Sequence, residues 1–530
     1  MYKYVAALLL AIASYQAKAY DIIPKPTTQS STKEICLLAP GWQWQVSGDS
    51  SEKTKAVYAQ FQQWADTVVH GYFLPITALE TGLGKVVLQI KPNKAISPFG
   101  YTIDFGKKQI LLSSPSSIGL FYALQSLKQL VFQKFKENTP ILCGRIQDEP
   151  GFAWRGMHLD VSRHFFTVKE VETYIEMLAL HKMNVFHWHL TDDQGWRLEI
   201  KAFPKLTEVA AWRNETMVGK YTKTKQKFDG IRHGGFYTQE EVKHLVQFAA
   251  SRMITVVPEI EMPGHSQELI AGYPSLGSSD TVPGVMMVWG GTDHILNPYS
   301  STFQFLFTVL DEVLTLFPSK YIHIGGDEAL KMHWKRNPKI QKFKDSLKLK
   351  NEDELQSWFI RQIDKYLVSK GRSLIGWDEI LEGGLAQNAA VMSWRGEKGG
   401  IAAAKMKHNV VMTPGTHCYF DHYQHQPKEQ EPLAIGGFTN LEKVYSYNPL
   451  PAELTKEEQG YILGAQANVW TEYIPDFKQV QYMCLPRMAA LAEVVWTKAQ
   501  TKDWPAFQKR AKQLSALYGA MSWSYCRWDL

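Results

Sequence analysis

Cysteine is scarce in this sequence and is never clustered. The 530 residues include five cysteines, and no two of them form a Cys-x-x-Cys pair. This spacing excludes a zinc finger or a thioredoxin-like redox motif, because both need closely spaced pairs. The odd count leaves at least one thiol without a disulfide partner, and the sequence does not assign the pairing. The cysteines are Cys36, Cys143, Cys418, Cys484 and Cys526.

Long apolar runs are also missing. The apolar run at residues 5–13 is too short to span a bilayer. It follows Lys3 and precedes Ala17-Lys18-Ala19, which has the small-x-small pattern of a signal-peptide cleavage site. We therefore expect residues 1–19 to be a signal peptide that directs export to the periplasm, the cell exterior or a lysosome. The mature chain is expected to have no membrane span.

Charge of one sign is not concentrated anywhere. The formal net charge is +6, and removing residues 1–19 would leave +4, from 56 basic against 52 acidic residues. Such a balance without long basic blocks gives no support for nucleic-acid binding. Hydrophobic residues make up 45% and charged residues 21%, as in ordinary globular proteins. The length predicts two or more domains.

Residues 20–150 predict a small, non-catalytic α+β domain. Alternation of apolar and polar residues predicts strands, and apolar residues at helical spacing predict one helix. The predicted strands are at residues 86–91, 101–103 and 109–112, and the predicted helix is at residues 116–132.

Residues 151–530 predict a TIM (β/α)8 barrel. Eight short apolar segments alternate with mostly helical stretches, which is typical of this α/β fold. A doubly wound open sheet is the alternative, but no Gly-x-Gly-x-x-Gly follows a first strand. The predicted strands are at residues 155–160, 185–190, 254–259, 321–324, 373–376, 390–393, 410–412 and 464–469.

The ends of these predicted strands carry the polar and aromatic residues. After the fourth strand, two glycines lead into Asp327 and Glu328. Two adjacent acids there could approach one substrate, or they could simply begin a helix, where acids are favoured. Trp377, Trp394 and Trp470 follow three other strands, and such rings could wall a pocket. With nearby carboxylates and arginine, the pattern indicates a sugar site.

Three motifs then resemble one family, the glycoside hydrolase family 20 β-N-acetylhexosaminidases, over nearly the whole mature chain. They are Gly325-Gly-Asp-Glu328, Arg155-Gly-x-x-Leu-Asp160 and His187-Trp-His-Leu-Thr-Asp-Asp-Gln-Gly-Trp-Arg197. The resemblance implies a retaining, exo-acting enzyme that removes terminal β-linked N-acetylglucosamine or N-acetylgalactosamine. In this family the 2-acetamido oxygen of the substrate attacks the anomeric carbon to give an oxazolinium intermediate, an exception to the two-carboxylate scheme.

The resemblance also implies the role of each residue. Glu328 would be the general acid and then the base, and Asp327 would hold the acetamido group and stabilise the oxazolinium charge. Asp192, or Asp193 beside it, and His265 would support the acid and tune its proton affinity. The remaining roles are a hydrogen bond to the acetamido oxygen from Tyr419, pocket walls from Trp377, Trp394 and Trp470, and binding of sugar hydroxyls by Arg155, Asp421 and Glu472.

Two rival interpretations stay open at this point. In a metal-dependent amidohydrolase, His187 and His189 would be metal ligands, with His158 or His265 as a third. A sugar-binding protein without catalysis is the other rival, although binding alone needs no proton donor at Glu328. The sequence contains no complete metal motif, so we expect no cofactor and activity that survives EDTA. Glycans or chitooligosaccharides are the expected partners, and the sequence leaves open a homodimer.

Overall fold

The computed structural model describes most of the chain. No helix among the described residues is long and apolar enough to cross a membrane. The predicted signal peptide, residues 1–19, lies outside them. The described residues are 20–48, 52–70, 73–74, 84–222, 224–528 and 530.

The described residues before position 150 form a seven-stranded mixed sheet with two helices. The strand order is β1-β7-β5-β6-β4-β2-β3, in which β2, β3, β4 and β6 are parallel neighbours and the β5–β6, β5–β7 and β1–β7 pairs are antiparallel. The elements are β1 (Thr28–Ile35), β2 (Trp42–Gly48), α1 (Glu52–Val68), β3 (Phe73–Leu74), β4 (Lys85–Ile90), β5 (Tyr101–Phe105), β6 (Gln109–Ser114), α2 (Ser117–Lys136) and β7 (Leu142–Asp148).

Eight parallel strands then close into a barrel, β8 to β15, with β15 paired to β8. The predicted TIM barrel after a small α+β domain is therefore confirmed, and the open-sheet alternative is wrong. Every predicted strand overlaps an observed one. The strands are β8 (Trp154–Asp160), β9 (Val185–His189), β10 (Thr255–Glu259), β11 (Tyr321–His323), β12 (Ser373–Trp377), β13 (Ala390–Ser393), β14 (Val410–Met412) and β15 (Ile462–Ala467).

Helices surround the barrel, and several begin with a side-chain cap. Thr167 and Thr238 each form a capping box with the glutamate three residues on, so the sequence itself sets where those helices start. The longer helices are α3 (Val168–Leu180), α4 (Gln239–Ser251), α5 (Ser300–Leu316), α6 (Pro338–Ser346), α7 (Glu352–Ser369), α8 (Lys398–Lys405), α9 (Phe477–Cys484), α10 (Arg487–Trp496) and α11 (Trp504–Ala520). Shorter helices are Lys205–Glu208, Gln267–Gly272, Met332–Arg336, Gly415–Cys418, Leu441–Ser446 and Lys456–Gln459.

The barrel interior holds a cluster of polar side chains around Glu259. Its carboxylate lies 3.0 Å from His187 Nε2 and 2.8 Å from His323 Nδ1, and it also contacts His189 Nδ1. All of these side chains are fully buried. A buried carboxylate is costly unless it is paired, and the histidines of neighbouring strands provide the partners of Glu259. The cluster packs against two tryptophans, with ring centroids 4.8 Å apart for His323 and Trp377 and 4.9 Å apart for His189 and Trp470.

Candidate functional site

The carboxyl ends of the barrel strands surround a cavity of about 510 Å³. Active sites of this fold occur at the carboxyl face, which the strand-end residues predict here. Nine of the residues singled out from the sequence line this cavity: His265, Asp327, Glu328, Trp377, Trp394, Tyr419, Asp421, Trp470 and Glu472.

Two glycines bring the adjacent acids to the cavity. Gly325 and Gly326 have φ of +63° and +89°, in the left-handed region that favours glycine. A Cβ on Gly325 would overlap the Glu261 carboxylate, so only a residue without a side chain fits at this position. Glu328 itself has φ of +42°, which is unusual for a residue with a side chain. The next helix begins only at Met332, so the alternative that these acids start a helix is wrong.

His265 links the two acids to a buried acidic pair. Its Nε2 lies 3.6 Å from Glu328 Oε2 and 3.8 Å from Asp327 Oδ2. Its Nδ1 lies 3.2 Å from Asp192 Oδ1 and 3.1 Å from Asp193 Oδ2. The sequence did not decide whether Asp192 or Asp193 supports this histidine, and in the structure His265 contacts both.

Asp192 and Asp193 differ in their other partners. Asp192 Oδ2 also pairs with Arg163 Nη2 at 2.8 Å and with His189 Nε2 at 3.0 Å. Asp193 accepts a hydrogen bond from the backbone N–H of Gln267 at 3.0 Å. Asp192 thus connects His265 to the charged groups of the barrel, whereas Asp193 holds the loop that carries His265.

In the ligand-free site, the surroundings shift the pKa values of Asp327 and Glu328 in opposite directions. Burial raises the pKa of Asp327 to about 6, even though His265 acts in the opposite direction. The contact with His265 lowers the pKa of Glu328 below its usual value, since that side chain is 48% exposed and loses less to desolvation. Burial opposes protonation of His265, but Asp192 and Asp193 outweigh it and hold its pKa well above the ordinary value. In the free protein, Glu328 is therefore the stronger acid of the pair.

Aromatic rings wall the cavity beside these acids. Trp377 and Trp470 lie with ring centroids 5.7 Å apart, and Trp394 stacks at 6.1 Å on Tyr419 with an interplanar angle of 22°. Trp394 Nε1 donates to Glu379 Oε2 at 2.9 Å, which fixes the ring. Burial, and then Asp327, raise the pKa of Glu379 to about 8. The site therefore offers flat apolar walls next to carboxyl groups, which suits a ring with hydroxyl substituents.

Acceptor atoms without protein partners point to where donors bind. Asp327 Oδ1, Asp421 Oδ1 and Glu472 Oε2 are buried and make no hydrogen bond to any described residue. A buried acceptor that stays unpaired is costly, so these atoms suit hydroxyl or amide donors of a ligand. Burial and the nearby Glu472 hold the pKa of Asp421 well above its usual range, so this carboxyl group can donate as well as accept.

We expect Trp394→Ala to weaken sugar binding without a large loss of stability. This ring is partly exposed and lines the cavity, so its removal takes away ligand contact more than core packing. Trp188→Ala is the matched control, because Trp188 is fully buried, and its loss should cost about 3–5 kcal/mol. Thermal midpoints and product affinities of both variants test this. A large drop in midpoint with unchanged affinity for Trp394→Ala, or for Trp470→Ala, would assign these rings to the core.

Arg155 does not line the cavity, so its predicted role in binding sugar hydroxyls is wrong. Its guanidinium donates to Lys182 O at 2.9 Å and to Tyr122 Oη at 2.7 Å, and it lies 5.1 Å from the Trp496 ring. Arg155 stands at the start of β8, and the barrel's ligand face is at the strand ends. It instead joins the barrel to the N-terminal domain.

Arg163 occupies the place that was predicted for Arg155. It follows β8, lines the cavity, and its guanidinium contacts Asp160 at 3.1 Å and Glu472 at 3.9 Å. The segment Ser162-Arg163-His164 directly follows the first barrel strand, and this position at a strand end could have identified Arg163 as a site residue. Trp289, His422 and Tyr473 also line the cavity and were not predicted. Trp289 lies on a long loop without a strand-end signal, whereas His422 and Tyr473 directly follow the predicted Asp421 and Glu472.

Comparisons with known proteins agree with this geometry. "Glycosyl hydrolase family 20, catalytic domain" matches residues 152–499, and "Glycosyl hydrolase family 20, domain 2" matches residues 19–149. A β-hexosaminidase of Porphyromonas gingivalis is 46% identical over 419 residues, which are 78% of this chain and 52% of that protein. The matched region thus spans about half the length of that relative. A β-hexosaminidase of Akkermansia muciniphila is 33% identical over 75% of this chain and 79% of its own length.

Solved structures are similar as well. The exo β-N-acetylglucosaminidase of Vibrio harveyi, solved in complex with N-acetylglucosamine, superposes with a TM-score of 0.82 at 30% identity and covers 96% of this chain and 79% of that one. The metal-dependent amidohydrolase interpretation is therefore wrong. Because the family model matches most of its length and solved members of the family are similar in structure, the chain belongs to glycosyl hydrolase family 20.

Proposed function

We propose that this protein is an exo-acting, retaining β-N-acetylhexosaminidase that uses the acetamido group of its substrate as the nucleophile. The observation that carries the proposal is the pair Asp327 and Glu328, which lie together at a cavity walled by Trp377, Trp394 and Trp470. The sugar complex of the Vibrio harveyi relative supports a terminal N-acetylhexosamine as the ligand. The sequence of residues 1–19 supports export of the enzyme to the periplasm, the cell exterior or a lysosome.

Glu328 is the proton donor in this proposal. It protonates the leaving oxygen and then takes a proton from the attacking water. Its partial exposure in the free protein suits this role, because bound substrate would cover the carboxyl group and raise its pKa by desolvation. His265 and Asp192 position Glu328 and set its proton affinity.

Asp327 supports the nucleophile and does not attack. Its unpartnered Oδ1 can accept from the acetamido N–H, and its negative charge stabilises the positive oxazolinium ring. Tyr419 donates a hydrogen bond to the acetamido oxygen, which holds that oxygen below the anomeric carbon. The tryptophans enclose the ring and the methyl group, while Arg163, Asp421 and Glu472 bind hydroxyls.

The pKa values of Asp327 and Glu328 predict that kcat/KM is high only over a narrow, acidic pH range. The reactive form needs Asp327 ionised and Glu328 protonated, but Asp327 holds its proton more tightly in the free protein. The profile should therefore be a bell that belongs to the coupled pair. It rises as pH passes the lowered pKa of Glu328 and falls again above a pH of about 6, as the last proton leaves Asp327.

His265→Gln tests this assignment. Loss of the positive charge should raise both pKa values, so both limbs of the kcat/KM profile should move to higher pH. Thermal midpoints measured across the same pH range separate unfolding from titration. A wild-type profile that stays flat from pH 5 to pH 8 would contradict the coupled-pair explanation.

Digestion of a chitooligosaccharide tests the proposed activity directly. We expect a chitotriose to release N-acetylglucosamine and the shortened oligomer, since a cavity of about 510 Å³ admits one terminal sugar. Aryl β-N-acetylglucosaminide and β-N-acetylgalactosaminide report whether both epimers are accepted. Binding of the trisaccharide without any hydrolysis would instead support the sugar-binding interpretation.

A further inference from the structure

Asp293, His294 and His333 form a cluster outside the catalytic cavity. Each offers one ligand atom, and these three atoms lie within 4.8 Å of one another. His333 Nε2 is 3.3 Å from Asp293 Oδ1, and the two imidazole rings have centroids 5.4 Å apart. None of the three residues lines the cavity that holds Asp327 and Glu328.

One ligand–ligand distance matches a tetrahedral zinc site, and the other two are at most 4.8 Å. Zinc binds nitrogen and oxygen ligands at about 2.0–2.2 Å, which places two tetrahedral ligand atoms roughly 3.3–3.5 Å apart. The Asp293–His333 distance already has this value. Two imidazoles and one carboxylate suit a borderline ion such as Zn²⁺ better than Ca²⁺ or Mg²⁺, which prefer oxygen ligands. The three side chains are partly exposed, so an ion can enter and a water can complete the coordination.

Buried neighbours hold the ligand residues in place. Trp334, next to His333, is fully buried, and its Nε1 donates to Leu296 O at 2.8 Å. Ile295, next to His294, packs in the same small apolar cluster as Trp334. The short helix Met332–Arg336 and the loop before Leu296 are therefore joined independently of any ion. Such a preformed arrangement lowers the cost of ordering ligands on binding.

We propose that Asp293, His294 and His333 form a site for a divalent transition-metal ion, represented by Zn²⁺, that joins two segments flanking the catalytic acid. Both segments lie close to Glu328. The loop carries Trp289, which lines the cavity, and Gly291, where an added Cβ would lie 3.6 Å from Glu328 Oε2. The helix begins four residues after Glu328. A bound Zn²⁺ ion would thus stabilise one wall of the catalytic cavity without touching the substrate.

Zinc titration of chelator-treated, buffer-exchanged protein tests the site. We expect calorimetry to detect one saturable Zn²⁺ site per chain. Loss of a ligand in Asp293→Asn, His294→Gln or His333→Gln should weaken it by at least roughly tenfold, since even outer partners of a metal site contribute 10–100-fold. His244→Gln is the matched control, because His244 is an exposed histidine that pairs with Glu172 at 2.7 Å and finds no third ligand among the residues that the structure describes. The Zn²⁺ affinity of the His244→Gln variant should equal that of the wild type.

Hydrogen exchange provides a second readout that does not depend on affinity. Zn²⁺ should slow exchange in residues 286–297 and 329–336 of the wild type and of His244→Gln, but not of His333→Gln. Hydrolysis by the chelator-treated protein shows that it is folded. Absence of saturable binding, or binding that Asp293→Asn and His333→Gln leave unchanged, would overturn the proposal. Binding that is lost only in those ligand variants supports it.

Discussion

A plain β-glucoside should be cleaved orders of magnitude more slowly than the β-N-acetylglucosaminide with the same leaving group. If the acetamido oxygen attacks, its removal deletes the nucleophile together with its effective molarity. In well-oriented intramolecular reactions that contribution is on the order of 7–11 kcal/mol. If Asp327 attacked directly, the glucoside would lose only pocket contacts. The ratio of kcat/KM for the two substrates measures the difference.

Inhibition and trapping experiments separate the two mechanisms further. A cyclic thiazoline that mimics the oxazolinium intermediate should inhibit strongly, because it resembles the bound high-energy state. Asp327→Asn should lose both turnover and thiazoline affinity, since the negative charge beside the ring is gone. Comparable rates on both substrates, or a glycosyl ester trapped on Asp327, would overturn the substrate-assisted mechanism.

Glu328→Gln should lower turnover by roughly 10²–10⁴-fold, the usual contribution of general acid–base catalysis. The glutamine keeps the shape of the side chain but cannot give a proton to the leaving oxygen. The loss should therefore be smaller for substrates whose leaving groups need little protonation. Turnover on a poor and a good aryl leaving group, compared with wild type, measures this dependence.

Glu240→Gln is the matched control for that variant. Glu240 is an exposed glutamate on α4, far along the chain from Asp327 and Glu328, and its side chain is 69% accessible. Its replacement should leave turnover on both substrates unchanged. Near-native turnover of Glu328→Gln on the poor leaving group would remove Glu328 from the role of proton donor.

Much of the fold could be predicted because its signals are local. The barrel strands are short buried segments between amphipathic helices, and that alternation is present in the sequence. Asp327 and Glu328 could be found because they follow a predicted strand through two glycines. Trp377, Trp394 and Trp470 could be found for the same reason, since the carboxyl ends of all eight strands meet at one face of a barrel.

Arg155 shows where the local argument failed. It belongs to a motif that resembles the family, but it stands at the opposite end of the strand from Asp160, which pairs with the cavity-lining Arg163. Its partners, Tyr122 and Trp496, are distant in the sequence and come together only at the junction with the N-terminal domain. Arg163, eight residues later, reaches the cavity because β8 has ended by then.

The sequence by itself determined the barrel, the family and the place of Asp327 and Glu328 after a strand end, because apolar periodicity, turn residues and motif order are properties of neighbouring positions. Only the tertiary structure decided which arginine faces the cavity, and which loop residues, such as Trp289 and Tyr473, complete it. It also decided the proton affinities. Asp327 and Glu328 are adjacent, yet burial raises the pKa of one and His265 lowers that of the other, because desolvation and charge contacts depend on what the folded chain brings around each group.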